Sequence, residues 1–199
     1  DDIDLLALAA QLTPEKIDKL RHGINKCQDF IANLAQQGGQ IGFEREFNVN
    51  PELAEPIVKD WRAKYNWTGK ADITQRTGSH LFIGDWKTGS SKFPDMDQLE
   101  LMALLAFVSE PEIETVDAAL IFIVDQNVRW SSVWTRVLDF PVMQEKWLGR
   151  YHDLFRRSVQ GDWPPTPNNL CAWCPVRTCE HNAPARAKAI AQGKTNLPD

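Results

Sequence analysis

The chain has 199 residues, 43% apolar and 25% charged, which excludes wholesale disorder and suits one globular domain, or one with a small appended piece. Its 27 acidic residues outnumber 22 Lys and Arg for a net charge of −5, so there is no bulk basic surface for nucleic acid. The longest uncharged apolar run, Ala118 to Val124, is far short of the roughly 20 residues a membrane helix needs. No secretory signal pattern opens the chain, so an intracellular, cytoplasmic setting with no membrane partner is expected. The chain begins at Asp1 without a methionine, as an excised or processed domain would.

In chain order, Pro14 to Gln37 is expected to be a helix. Thr13 is placed as its N-cap and Pro14 at its first position, and Gly38-Gly39 stops it. Ile17, Leu20, Ile24, Cys27, Phe30, Ile31 and Leu34 recur every three or four positions and form one apolar stripe. Gln40 to Val49 alternates as a strand, with Ile41, Phe43, Phe47 and Val49 expected on one face and Glu44 and Glu46 on the other. Two more strands, Trp67 to Thr74 and His80 to Trp86, flank a turn at Arg76-Thr77-Gly78. A helix follows over Pro94 to Val108, then a continuous apolar run, Val116 to Val124, of the kind a central strand shows. Arg129 to Val137 reads as its hairpin partner, and Val142 to Val159 as a third long helix.

From Gly161 the composition turns to Asp-Trp-Pro-Pro-Thr-Pro and leads to three cysteines. The expected organisation is a core over 1–160 and a cysteine-bearing tail over 161–199. The element order predicts an α/β (α+β) domain with a mixed sheet.

Chemistry concentrates in the middle of the chain. In Ile83-Gly84-Asp85-Trp86-Lys87 the strand period of two puts Asp85 and Lys87 on one face, with Trp86 packing on the other. Asp72, on the neighbouring strand, offers a second carboxylate. Two carboxylates converging from adjacent strands make a site for Mg²⁺, a hard cation that prefers oxygen and keeps several waters. A phosphate ester on that ion would be polarised, and the attacking water made more acidic.

Gly69-x-x-Asp72, then Asp85-x-Lys87-Thr88-Gly89, then Gln98-Leu99 opening a helix, resembles the PD-(D/E)XK nuclease core of the RecB type. The resemblance implies a restriction-endonuclease-like fold and a Mg²⁺- or Mn²⁺-dependent DNA nuclease, an exonuclease on single strands or duplex ends that leaves 5′-phosphates. It implies metal binding by Asp72 and Asp85, water activation by Lys87 and support from Gln98. The family often has a tyrosine where Met102 stands, and a metal-binding histidine on the first helix where Cys27 stands. Glu46 is expected to substitute for that histidine in preference to Glu44.

Cys171-Ala-Trp-Cys174, with Cys179 beyond it, is similar to the tail of RecB-type nucleases that carry an iron–sulfur cluster, among them CRISPR-adaptation nucleases. That implies a [4Fe-4S] cluster on Cys27, Cys171, Cys174 and Cys179, because thiolates are soft ligands and four complete such a centre. Zinc on Cys171, Cys174, Cys179 and His181 is the alternative. Trp163 and Trp173 are expected to pack over the cluster or stack on a base. Recombination, repair or replication proteins are the further partners that the resemblance implies. The rival class is a non-catalytic nucleic-acid-binding or scaffolding module of a larger helicase–nuclease assembly.

Overall fold

The computed structural model describes residues 13–58, 66–92, 94–168, 170–194 and 197. The chain divides into two compact units, 1–150 and 151–199. The division falls inside the last long helix, before the change of composition at Gly161.

In the first unit, α1 (Pro14–Gln36) leads into β1 (Gln40–Val49), β2 (Trp67–Thr77) and β3 (His80–Lys87). Then come α2 (Met96–Ser109), β4 (Thr115–Phe122), β5 (Asn127–Trp130), β6 (Trp134–Thr135) and α3 (Asp139–Gln160), which continues into the second unit. The sheet runs β1-β2-β3-β4-β5, with β6 also on β4. β3 and β4 are parallel and joined through α2, whereas the other pairs are antiparallel. The mixed sheet expected from the element order is therefore present.

Both faces of the sheet are covered, and the pattern of β4 shows it. Ala118 and Leu120 join the core beneath α2, while Ala119 and Ile121 join the cluster beneath α1. A strand buried on both sides needs apolar residues at every position, hence the uninterrupted run. On the α2 side, Leu99, Leu104, Leu105 and Phe107 are fully buried against Leu81, Ile83 and Val116. Each such side chain contributes about 1.5–3 kcal/mol relative to exposure. Gly69 allows α2 to come this close, because a Cβ there would meet Met102 Sδ at 2.5 Å.

Three expectations change. The stripe of α1 is buried only in part: Leu34 is buried, with Phe30 and Ile31 packed beside it, but Ile24 is exposed. The strand expected over Arg129 to Val137 is two short strands, β5 and β6. Between them the Ser131 hydroxyl accepts from Ala118 N–H at 2.9 Å, so a side chain replaces a carbonyl of the ladder. Most important for function, the residues of β1 do not share one face. Ile41 packs with the α1 cluster, whereas Phe47 and Val49 enter the α2 core. The alternation flips at Glu44, whose φ of 54° is uncommon for a residue with a side chain. Opposite it, β2 flips as well: Ala71 faces α2 and Ile73 faces α1, with Asp72 between them.

The second unit contains a short 3-10 turn (Cys171–Trp173) and α4 (Asn182–Ala191).

Candidate active site

The β2–β3 ladder ends at Ile73↔Gly84, yet β3 continues beside β4 as far as Lys87↔Phe122. β2 meanwhile continues beside β1 to Trp67. A fork therefore opens between β2 and β3, with Asp72 on one prong and Asp85 on the other. The Asp72 side chain reaches across, and its Oδ2 accepts from Trp86 N–H at 2.7 Å. This carboxylate replaces the missing ladder bond.

On the other prong, Asp85 is only 8% exposed. Gln98, in the first turn of α2, donates from Nε2 to Asp85 Oδ1 at 2.8 Å and accepts at Oε1 from Lys87 Nζ at 2.8 Å. Lys87 Nζ is 2.6 Å from Asp85 Oδ2, which closes the set. One amide thus fixes both the acid and the amine. Asp85 Oδ2 is buried and ion-paired to Lys87, but that contact lacks hydrogen-bond geometry, and among the described residues the oxygen accepts no other hydrogen bond.

Burial pushes the Asp72 carboxyl above the usual aspartate range; the Trp86 N–H works against this, and the charges of Asp85 and Glu44 add to it. Those interactions place Asp85, Glu44 and Lys87 within electrostatic reach of Asp72. Glu44, ion-paired with Lys70, lines a concavity of about 360 Å³ with Asp72, Trp86 and Cys27. Glu46, the residue the resemblance favours, pairs in register with Lys70, one strand period farther from Asp72. Cys27 reaches this concavity because Gly23, one turn earlier, lies against Ile123, the residue that follows β4: a Cβ there would meet Ile123 Cγ2 at 2.2 Å. Burial pushes the Cys27 thiol up.

Two anchors were not foreseen from the sequence. Ile123 N–H donates to Lys87 O at 2.9 Å, and Ser91 N–H donates to Asp125 Oδ2 at 2.6 Å, so the segment after Lys87 is tied to the end of β4. Neither has a periodicity signal, because both arise where strands end.

The chemistry of the fork suits Mg²⁺ or Mn²⁺. Both facing groups are carboxylates, one oxygen of Asp85 accepts no hydrogen bond from the described residues, and their mutual repulsion is what a cation relieves. Among the described residues, no three His, Cys, Asp or Glu side chains are grouped to hold a metal. A cation held by two carboxylates and water does not require a third.

The tail is a different case. Cys171, Cys174, Cys179 and His181 line one concavity of about 850 Å³ in the second unit. Asn182 Nδ2 donates to the carbonyls of Cys171 and Cys174, both at 2.9 Å, and so holds the Cys-x-x-Cys turn. All four cysteines of the chain are free thiols, and the tail thiols are not gathered into a ligand set. Three thiols and an imidazole around one concavity suit a soft metal, whose loading would have to gather them.

The family model of the PD-(D/E)XK nuclease superfamily matches residues 4–179. The chain belongs to the PD-(D/E)XK nuclease superfamily. The fork with Asp72, Asp85 and Lys87 lies within that match, as do the tail cysteines. A solved structure, the "Crystal structure of SSO0001", is similar at 14% identity and a TM-score of 0.42, over 91% of this chain and 78% of that one. No curated protein matches the chain. Among the described residues of this superfamily member, no helix is long and apolar enough to cross a membrane.

Proposed function

We propose that this PD-(D/E)XK protein is a Mg²⁺- or Mn²⁺-dependent DNA nuclease that acts as an exonuclease on single strands or duplex ends and leaves 5′-phosphates. The closed set Asp85–Gln98–Lys87, facing Asp72 across the fork, is the observation that carries this reading. Asp72 and Asp85 would hold the cation, and loading would have to draw in Glu44, which shares the Asp72 concavity, as a third carboxylate. When bound, the ion polarises the phosphoryl oxygen and acidifies a water. Lys87, fixed by Gln98, orients that water and offsets the negative charge that grows on the phosphate. Gln98 supports the site by keeping the Asp85 and Lys87 side chains in one orientation.

A second metal in the tail is a separate proposal: a [4Fe-4S] cluster, or zinc on the local set that includes His181. It is supported by three thiols around one concavity, which metal loading would have to gather. Four free thiols also suit a reducing cytoplasm.

The test is cleavage of 5′- and 3′-labelled oligonucleotides with Mg²⁺ or Mn²⁺, with analysis of the product ends. Lys87→Ala should lose roughly a thousandfold or more in rate while retaining its circular dichroism and melting profile. Robust cleavage by Lys87→Ala would overturn the assignment. Binding without any cleavage by the wild type would favour the non-catalytic module.

A further inference from the structure

A second cavity, of about 470 Å³, adjoins the concavity that holds Asp72 and shares Cys27 and Ile123 with it. It lies between α1 and the turn from β4 to β5. Phe30 and Val128 give it apolar walls, and Phe30 meets Trp86 of the fork edge-on at 6.0 Å between ring centroids. Among the described residues, one amine and one carboxylate line it, Lys26 and Asp29, and their charges offset each other. Its remaining polar groups include the amides of Asn33, Gln126 and Asn127.

Two of these amides are held by neighbours. Gln126 Oε1 is 3.0 Å from His22 Nε2, which leaves the Gln126 amide N–H groups as donors. Asn127 Nδ2 donates to Ser91 Oγ at 3.3 Å, which leaves Asn127 Oδ1 as an acceptor. A donor and an acceptor from consecutive residues, beside an aromatic wall, match the edge and the face of a nucleobase. Gln126 has a φ of 51°, a conformation that glycine or asparagine adopts more easily, and such backbone concentrates at binding sites.

Resting on the nuclease reading of the fork, we propose that this cavity holds an unpaired nucleobase of the strand whose phosphate lies at Asp72 and Asp85. Gln126 and Asn127 read the base edge, and Phe30 packs against the base. The substrate would therefore be engaged as a single strand, since a base paired within a duplex has its Watson–Crick edge and both faces covered.

The experiment uses single-stranded oligonucleotides of one sequence, with an abasic residue placed at each position in turn. Cleavage is followed with Mn²⁺, and binding to metal-free protein by fluorescence anisotropy. For the wild type, one abasic position near the cut should weaken both kcat/KM and binding about tenfold. Gln126→Gly, which removes the amide and suits the positive φ, should lose a similar factor on the intact strand and little more on the abasic one. Equal tolerance of every abasic position by the wild type would overturn the cavity assignment while leaving the nuclease reading standing. Equal loss by Gln126→Gly on intact and abasic strands would overturn it too, because the side chain would then be structural. Neither binding nor cleavage of any strand would overturn both readings.

Discussion

The fork and the tail both carry side chains of types that can ligate metals, but those side chains are ordered to different degrees. At the fork, Asp72 is tied to Trp86 N–H, and Asp85 and Lys87 are tied to one glutamine, so the chemistry is in place before any ion arrives. In the tail, hydrogen bonds from Asn182 hold the backbone around the thiols, but the thiols themselves are not gathered. Protein–protein hydrogen bonds can position carboxylates and amines in advance. Thiols make only weak hydrogen bonds, so a metal bound there would itself have to supply most of that order.

The largest expected effect follows from that contrast and falls on the tail. Anaerobically purified protein should contain iron and sulfide and absorb broadly around 400 nm, and Cys171→Ser, Cys174→Ser or Cys179→Ser should remove the metal. Stripping the metal should leave the tail open to limited proteolysis while residues of the sheet keep their hydrogen-exchange protection. Colourless protein with one zinc, retained in Cys27→Ser and lost in His181→Ala, would replace the cluster by a local site. A tail equally protected with and without metal would remove the contrast.

A moderate effect should separate the two glutamates of β1. Glu44→Gln should weaken Mn²⁺ binding several-fold, and Glu46→Gln should leave it near the wild-type value, as calorimetry would show. The reverse order would return the third carboxylate to Glu46.

The smallest effect concerns the cost of keeping the fork ready. Because the Asp72 carboxyl is raised in the folded protein, the contribution of Asp72 is favourable below its unfolded value and is lost as pH rises through the folded one. Metal-free Asp72→Asn, which can still accept from Trp86 N–H, should therefore melt slightly above the wild type at neutral pH. The gain should vanish toward pH 3 to 4, the region of the ordinary aspartate value (about 3.9). A gain that persists in acid would point to packing instead of charge.

Most of the frame was legible in the sequence because periodicity is a local signal. The length of α1, the order of strands and the shared face of Asp85 and Lys87 could all be read from spacing and turn residues. The fork could not. It depends on two strands changing face together, at Glu44 and Asp72, and no pattern within a single strand reports where its partner leaves it. For the same reason, strict alternation put Glu44 and Glu46 on an equal footing, although the flip brings one of them to Asp72. The contacts of Asp125, Gln126 and Asn127 were not legible, because they are made from a turn, where position is set by tertiary contacts.

The central claim is that Asp72 and Asp85 form one cation site across the fork. Titration of Mn²⁺ into the wild type, Asp72→Asn and Asp85→Asn, followed by electron paramagnetic resonance of the free ion, tests it most directly. The account predicts a site in the wild type that is weakened at least tenfold in both variants, with unchanged circular dichroism. Undiminished Mn²⁺ binding by both variants would contradict it.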